Sequence, residues 1–309
     1  MRAILIVLPV FLVIGFGWIL KQKNFLSHQT VLEDDNLLYN FVMPLILFRG
    51  ILHARTDIPD AGAFALSVCL PYFVTTLLVW LLARWGESRE RFAAITLSAA
   101  RGNHFFAVLP VVQLALGDEG FEAGALILAF SLVCLQLLSM GSGELALAGR
   151  VSAGNLKRIV LRLFHNPLFM SCLLALLLTL MNLNTLPFWL DTTFERLANI
   201  GTGLALLTLG TKINLRGLPE ALLTTWKLQL FKIVVHPVVT FLILTLFGLP
   251  PLFVQAGTLL AAMPEAVNTT IIAEKMGMDW KYCAMGTTVS VLLSMITLPL
   301  GIHLLGAIR

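Results

Sequence analysis

The stretch AAMPEAVNTTIIAEKMG, residues 261–277, decides how this sequence is read. It sets a proline, a glutamate, an asparagine and two threonines inside a run that is apolar for long distances on either side. Pro264 withholds a backbone donor and obstructs the turn before it. An ionisable side chain within a membrane span faces protein or a water-filled cavity rather than lipid. The segment therefore predicts a helix interrupted at a polar cavity.

The composition supplies the setting. Over 309 residues, 58% are hydrophobic, 12% are charged and the mean hydropathy is +0.89, which is more apolar surface than a soluble fold can hide. The expected class is an all-α integral membrane protein whose largest partner is the lipid bilayer. A span needs about 20 mostly apolar residues. That length gives ten candidates, near 3–20, 36–54, 62–83, 92–116, 121–146, 163–181, 194–211, 226–247, 252–275 and 280–305. Residues 1–20 lack a small-residue cleavage site and run directly into Lys21 and Lys23, so they are read as the first span rather than a signal peptide.

Basic residues set the expected orientation. Lys21, Lys23, Arg84, Arg89, Arg91, Arg150, Lys157 and Arg158 belong to connections on one side, whereas the other side has Arg2, Arg55, Arg196 and Arg309. The positive-inside rule then puts both termini outside, periplasmic for a bacterial inner-membrane protein. The formal charge of +4 reflects topology and gives no support to a nucleic-acid partner. Arg49, Arg101 and Lys232 are left over inside predicted spans.

Ten spans invite a search for a repeat of five. TLSAARGNHFFAVLP (96–110) and TLLAAMPEAVNTTII (258–272) align without gaps at an offset of 162. Both lose helical character at the same place, Gly102-Asn103 in one and Pro264-Glu265 in the other. Because five is odd, the second half enters the membrane inverted, and paired interrupted spans in inverted halves mark secondary transporters. The expected organisation is residues 1–148 as the first five-helix repeat, 149–162 as a short cytoplasmic linker and 163–309 as the inverted second repeat, with broken helices four and nine crossing. The half-helices restarting near 103–105 and 266–268 would direct their positive ends at the midplane, which suits an anion. Asn103, Asn268, Thr269 and Thr270 are available as neutral hydrogen-bonding groups.

GNHFFAVLP (102–110) resembles the Asn-x-Gly-Phe-x-Gly-x-Pro signature of the auxin efflux carrier family, residues 261–277 resemble its ninth span, and VSVLLSMITLPL (289–300) resembles its last helix. The resemblance covers essentially the whole chain. It implies a ten-span fold of two inverted halves, shared with bile-acid and sodium symporter relatives, that moves small organic anions by elevator-like alternation. Plant carriers of auxin and bacterial permeases for malonate or malate belong to that family. Asn103 and Pro110 keep the signature spacing, but Phe105 and Val108 replace its two glycines, and the long cytosolic loop of the plant carriers is missing.

Individual residues carry paired readings. Gly102, Pro110 and Pro264 are helix-break positions, Pro110 the more structural of them. Arg101 either attracts a substrate carboxylate or pairs with Glu265. Glu265 either carries a coupling ion, H+ or Na+, or pairs with Arg101, His104 or Lys232; His104 is either titratable or a packing residue. Asn40, beside Pro44, either reaches substrate or belongs to a close helix contact made through Gly201, Gly203 and Gly210. Arg49, His53 and Asp57 read as interfacial. Cys69, Cys134, Cys172 and Cys283 read as small hydrophobes.

No metal, nucleotide or hydrolase motif is recognisable, so no enzyme activity, cofactor or metal site is expected. Two function classes remain. One is a secondary transporter, a permease or efflux carrier of small organic anions; the other is a passive channel or ligand-binding sensor without translocation. A homodimer is compatible with either.

Overall fold

The computed structural model describes residues 2–53, 60–103, 109–148, 161, 164–165, 167–181, 183, 185–213, 215, 217–266 and 268–306. Among them the chain is helical, and the only strand-like pairing is one antiparallel bridge between Gly102 and Glu265. In order the helices are α1 (Arg2–Gln22), α2 (His28–Leu37), α3 (Met43–His53), α4 (Ala61–Leu82), α5 (Arg89–Ser98) and α6 (Leu109–Ala148). The second half has α7 (Pro167–Leu180), α8 (Phe188–Thr211), α9 (Leu218–Gln229), α10 (His236–Leu246), α11 (Pro251–Ala262), α12 (Asn268–Met276) and α13 (Trp280–Gly306). A π-helical turn, Leu38–Val42, joins α2 to α3, and a second, Leu230–Val235, joins α9 to α10.

Local chemistry sets many of the boundaries. Ser27 accepts from the Thr30 amide at 3.0 Å, Asp60 from the Gly62 and Ala63 amides at 2.9 and 3.0 Å, and Ser88 from the Arg91 amide at 3.2 Å. Each satisfies amides that a starting helix leaves open. Gly117, at φ 77°, bends α6 where the sequence reading ends span four and begins span five.

Among the described residues, five helical stretches are long and apolar enough to cross a membrane: Gln29–His53, Ala61–Leu82, Val111–Leu147, Leu218–Leu246 and Trp280–Gly306. Leu8–Gln22, Pro167–Thr179 and Pro251–Ala262 are apolar but shorter. The sequence reading expects ten spans with the fourth and ninth broken, and the described helices are interrupted in those two. Span nine is divided between α11 and α12, and α5 ends at Ser98, well before the expected end of span four.

Outward faces are greasy at helical spacing. Leu8, Leu12, Phe16 and Ile19 line one side of α1, and Leu242 and Leu246 continue such a stripe on α10, all of them exposed. Contiguous apolar stripes of this kind match a hydrocarbon solvent. The protein is a multi-pass membrane protein.

Two sets of helices can be distinguished, joined to each other by α1 and α3 against α6, by α1 against α13 and by a shared apolar core. α1 lies against α8, and α3 against α7 and α8. A side chain at Gly17 would collide with the Leu207 carbonyl, and one at Gly210 with the Ile14 carbonyl, so the α1–α8 contact is backbone on backbone. Gly201 meets Val42, whereas Gly203 has open space, so two of the three glycines expected at a close contact make one. The other set joins α6 to α4, α5 and α11, α10 to α4 and α11, and α13 to α9 and α12. Its core includes Phe92, Ile95, Leu97, Leu228 and Cys283 and extends to Ala99 and Ala273 beside the two interruptions.

Candidate functional site

Where α5 and α11 stop, their chains continue as short extended segments that meet. The Asn103 amide donates to the Pro264 carbonyl at 2.7 Å, and the Ala266 amide donates to the Arg101 carbonyl at 3.0 Å. Hydrocarbon offers no partner for backbone freed by a broken helix. Each interruption supplies one to the other. The Glu265 amide, which an unbroken helix would aim at the Ala261 carbonyl, donates instead to Ser290 Oγ on α13 at 2.9 Å. The Ser290 hydroxyl in turn donates a hydrogen bond to the Thr287 carbonyl at 2.9 Å.

The juncture gathers charge into a buried place. Arg101 is 3% exposed, and its Nη1 donates to Gln136 Oε1 at 2.7 Å and Ser139 Oγ at 2.9 Å, both on α6. Nε of Arg101 has no hydrogen-bond partner. The guanidinium is therefore held by neutral groups, and no salt bridge with Glu265, one of the two readings of Arg101, is formed. Burial without snorkelling agrees with the depth of Arg101 in its span.

Glu265 is 0% exposed, and its carboxylate oxygens make no hydrogen bond of full geometry, although the Ser98 and Thr287 hydroxyls are close enough to donate to it. No ion pair reaches it among the described residues. The hydroxyls of Ser98 and Thr287 and the charges of Lys232 and Arg101 surround it. Those hydroxyls are engaged with Cys283, Ser98 Oγ with its Sγ at 3.5 Å and Thr287 Oγ1 donating to its carbonyl at 3.0 Å. The carboxylate abuts α13 at Gly286, where a Cβ would stand 2.7 Å from Glu265 Oε2 and 2.6 Å from Leu228 Cδ2.

On the far side of the break, α12 begins at Asn268 as the sequence predicts. Oδ1 of Asn268 and Oγ1 of the fully buried Thr269 are without hydrogen-bond partners, and Thr270 is half-buried. Buried polar atoms are normally satisfied. Several unmet polar groups are left together at this one break. Gly102 and Asn103 are buried within the paired segment.

Other expected residues fall elsewhere. Asn40, in the first π-helical turn, is exposed and donates to the Asn36 carbonyl of its own helix at 2.9 Å. Its neighbour Tyr39 comes within electrostatic reach of Arg101. Pro110 is the second residue of α6. His104, Phe105, Val108 and Asp57, and the linker except Leu161, lie outside the described residues. Arg49, expected at an interface, makes a two-pronged contact with Asp191 at 2.8 and 3.2 Å, and His53 approaches the same carboxylate at 3.5 Å. Together with Gln113, Asp118 and Glu195, Arg49 and His53 line a separate polar cavity of about 290 Å³.

Sequence reading did not find Gln136, Ser139, Ser290 or Gly286 at the break. Polar residues at single positions in α6 and α13 give no periodic signal, because their meaning depends on a segment distant in the chain. Lys232 is visible as an intramembrane cation, but its direction is not.

The chain is similar to two transporter-named proteins over nearly its whole length. An "Uncharacterized transporter" of Methanothermobacter thermautotrophicus is 23% identical over 298 residues, covering 95% of each chain. A "Putative malonate transporter" of Rhizobium meliloti is 26% identical over 302 residues, covering 94% of this chain and 92% of its own. The family described as membrane transport protein matches residues 3–151 and 150–302. By that match across both halves, the chain belongs to the membrane transport protein family, that of the auxin efflux carriers.

Proposed function

We propose that this membrane transport protein is a secondary carrier of small organic anions, mono- or dicarboxylates, that binds its substrate where the two interruptions meet. The single observation that carries the reading is the reciprocal backbone pairing of Arg101–Asn103 with Pro264–Ala266. It brings the unmet polar atoms of Arg101, Glu265, Asn268 and Thr269 to one buried break. Two cations, Arg101 and Lys232, stand there with one carboxylate, Glu265, a formal excess of one positive charge that a substrate carboxylate neutralises. The relative described as a malonate transporter agrees in chemical class.

In this reading helices four and nine cross at the break within two inverted repeats, residues 1–148 and 163–309, joined by the linker at 149–162. The α1, α3, α7 and α8 set is a fixed scaffold, and the set holding the break moves against it in an elevator-like alternation. Both termini face the periplasm of an inner membrane. Asn103, Asn268, Thr269 and Thr270 hydrogen-bond the substrate, and Arg101 supplies the charge.

The test is a thermal-shift screen of detergent-purified protein against malonate, malate, succinate, lactate and indole acetate, repeated with Asn268→Ala. A ligand that binds the native state raises the melting temperature as its excess grows. At least one acid is expected to stabilise the wild type and lose its effect in the variant. Counterflow of labelled acid in proteoliposomes then separates a carrier from a binding-only sensor. Silence from every acid would remove the carboxylate assignment.

A further inference from the structure

Lys232 is 0% exposed, and its sequence neighbours offer no reason for a cation there. It lies in the π-helical turn Leu230–Val235. Leu228, Phe231, Lys232 and His236 are all buried, the i, i+3, i+4, i+8 spacing of one helix face, so Lys232 faces inward with its apolar neighbours. Turns of this kind recur at functional sites. Inside, Lys232 Nζ donates to the Ala261 carbonyl at 2.7 Å.

That carbonyl is the one left open when the Glu265 amide turns to Ser290. It belongs to the last turn of α11, where exposed carbonyls give the helix end a partial negative charge that a cation complements. The ammonium is thus fixed one helical turn before Glu265, close enough to act on its charge, and bonded to backbone rather than to the carboxylate. The hydroxyls within reach of Glu265, those of Ser98 and Thr287, are neutral and are also engaged with Cys283. A buried carboxylate needs a compensating charge.

We propose that Lys232 is the built-in counter-cation of the break, a positioning residue that caps the α11 half-helix and balances Glu265, so that the loaded break needs no alkali cation from outside. The lysine and the carboxylate travel together with the paired interruptions, and the positive charge facing the substrate is left to Arg101. The charge relationship is independent of substrate identity. It therefore survives, or fails, separately from the carboxylate reading.

The test uses thermal unfolding of the detergent-purified full chain in sodium chloride, potassium chloride and choline chloride at equal ionic strength, with no organic anion added. Wild type is expected to melt at the same temperature in all three. Lys232→Ala is expected to lose about 5 °C or more in choline chloride. It should recover part of that loss with sodium or methylammonium, either of which fits the vacated place beside Glu265. Adding Glu265→Gln to Lys232→Ala should abolish the cation response, and the Lys232→Met/Glu265→Gln pair should be more stable than the sum of its single changes predicts. A merely structural lysine gives no such cation rescue. Sodium-specific stabilisation of the wild type would overturn the proposal, as would a Lys232→Ala protein whose melting ignores the cation. Should the single variants fail to fold, the wild-type salt comparison and the double variant still decide: a double variant that also fails to fold counts against it.

Discussion

The amide of Asn103 and the carbonyl of Pro264 stand 2.7 Å apart, linking interruptions from opposite halves of the chain. Each break is tolerable because the other completes its hydrogen bonds. Replacing Pro264 with alanine restores a donor and removes the obstruction to the preceding turn, so α11 gains a way to continue toward α12. The expected result is loss of the carboxylate-induced thermal shift and a fall in counterflow of at least about tenfold, equivalent to about 1.4 kcal/mol. A Pro264→Ala protein that exchanges acid at the wild-type rate would separate the break from transport.

Arg101 offers the most direct test of charge recognition. Gln136 and Ser139 occupy Nη1, while Nε remains free for a ligand. A hydrogen bond to a charged group contributes about 1.5–3 kcal/mol. Arg101→Gln is therefore expected to weaken carboxylate binding by roughly 10- to 150-fold. Arg101→Lys keeps the charge but not the planar fork, and should fall between the two. Titration calorimetry with the acid that gives the largest thermal shift is the measurement, and equal affinities in wild type and Arg101→Gln would remove the arginine from the site.

Much of this arrangement is legible in the sequence because its causes are local. Pro9, Pro71 and Pro299 sit inside continuous helices, so a proline alone does not mark a break; Pro264 does so next to Glu265, and the 162-residue offset to Gly102-Asn103 pairs the two breaks without any knowledge of three dimensions. The start of α12 at Asn268 follows directly. What the sequence does not disclose are relationships made across distance. Glu265 has Arg101 and Lys232 as plausible partners by proximity in pattern, yet Arg101 is held by Gln136 and Ser139, and Lys232 by a backbone carbonyl. Asn40 looks polar enough to reach substrate, but it lies exposed in a π-helical turn and bonds to the Asn36 carbonyl of its own helix. Which way a side chain in such a turn faces does not show in the composition of the window that contains it.

Gly286 explains how a carboxylate and a helix share the same space. A methyl group there would approach both Glu265 Oε2 and Leu228 Cδ2 well inside van der Waals contact. Overpacking of this kind costs about 1–3 kcal/mol. Gly286→Ala is expected to lower the melting temperature by several degrees in the absence of ligand and to reduce carboxylate binding, because Glu265 and the paired segment must shift. An unchanged melting curve would mean that α13 yields freely at this point.

The cavity around Arg49 provides the control for all of these experiments. Arg49 bridges α3 to Asp191 and Glu195 on α8, within the helix set that does not contain the break. Its side chain is about one-quarter exposed, so the contact is partly screened and is expected to contribute no more than about 1 kcal/mol. Arg49→Met should lower the melting temperature by a few degrees at most. The stabilisation by carboxylates should persist, since Gln136, Ser139, Asn268 and the paired backbone are untouched. If Arg49→Met instead abolishes the carboxylate response while the fold holds, the anion binds in the 290 Å³ cavity beside Gln113 and His53, and the break is a hinge rather than a binding site.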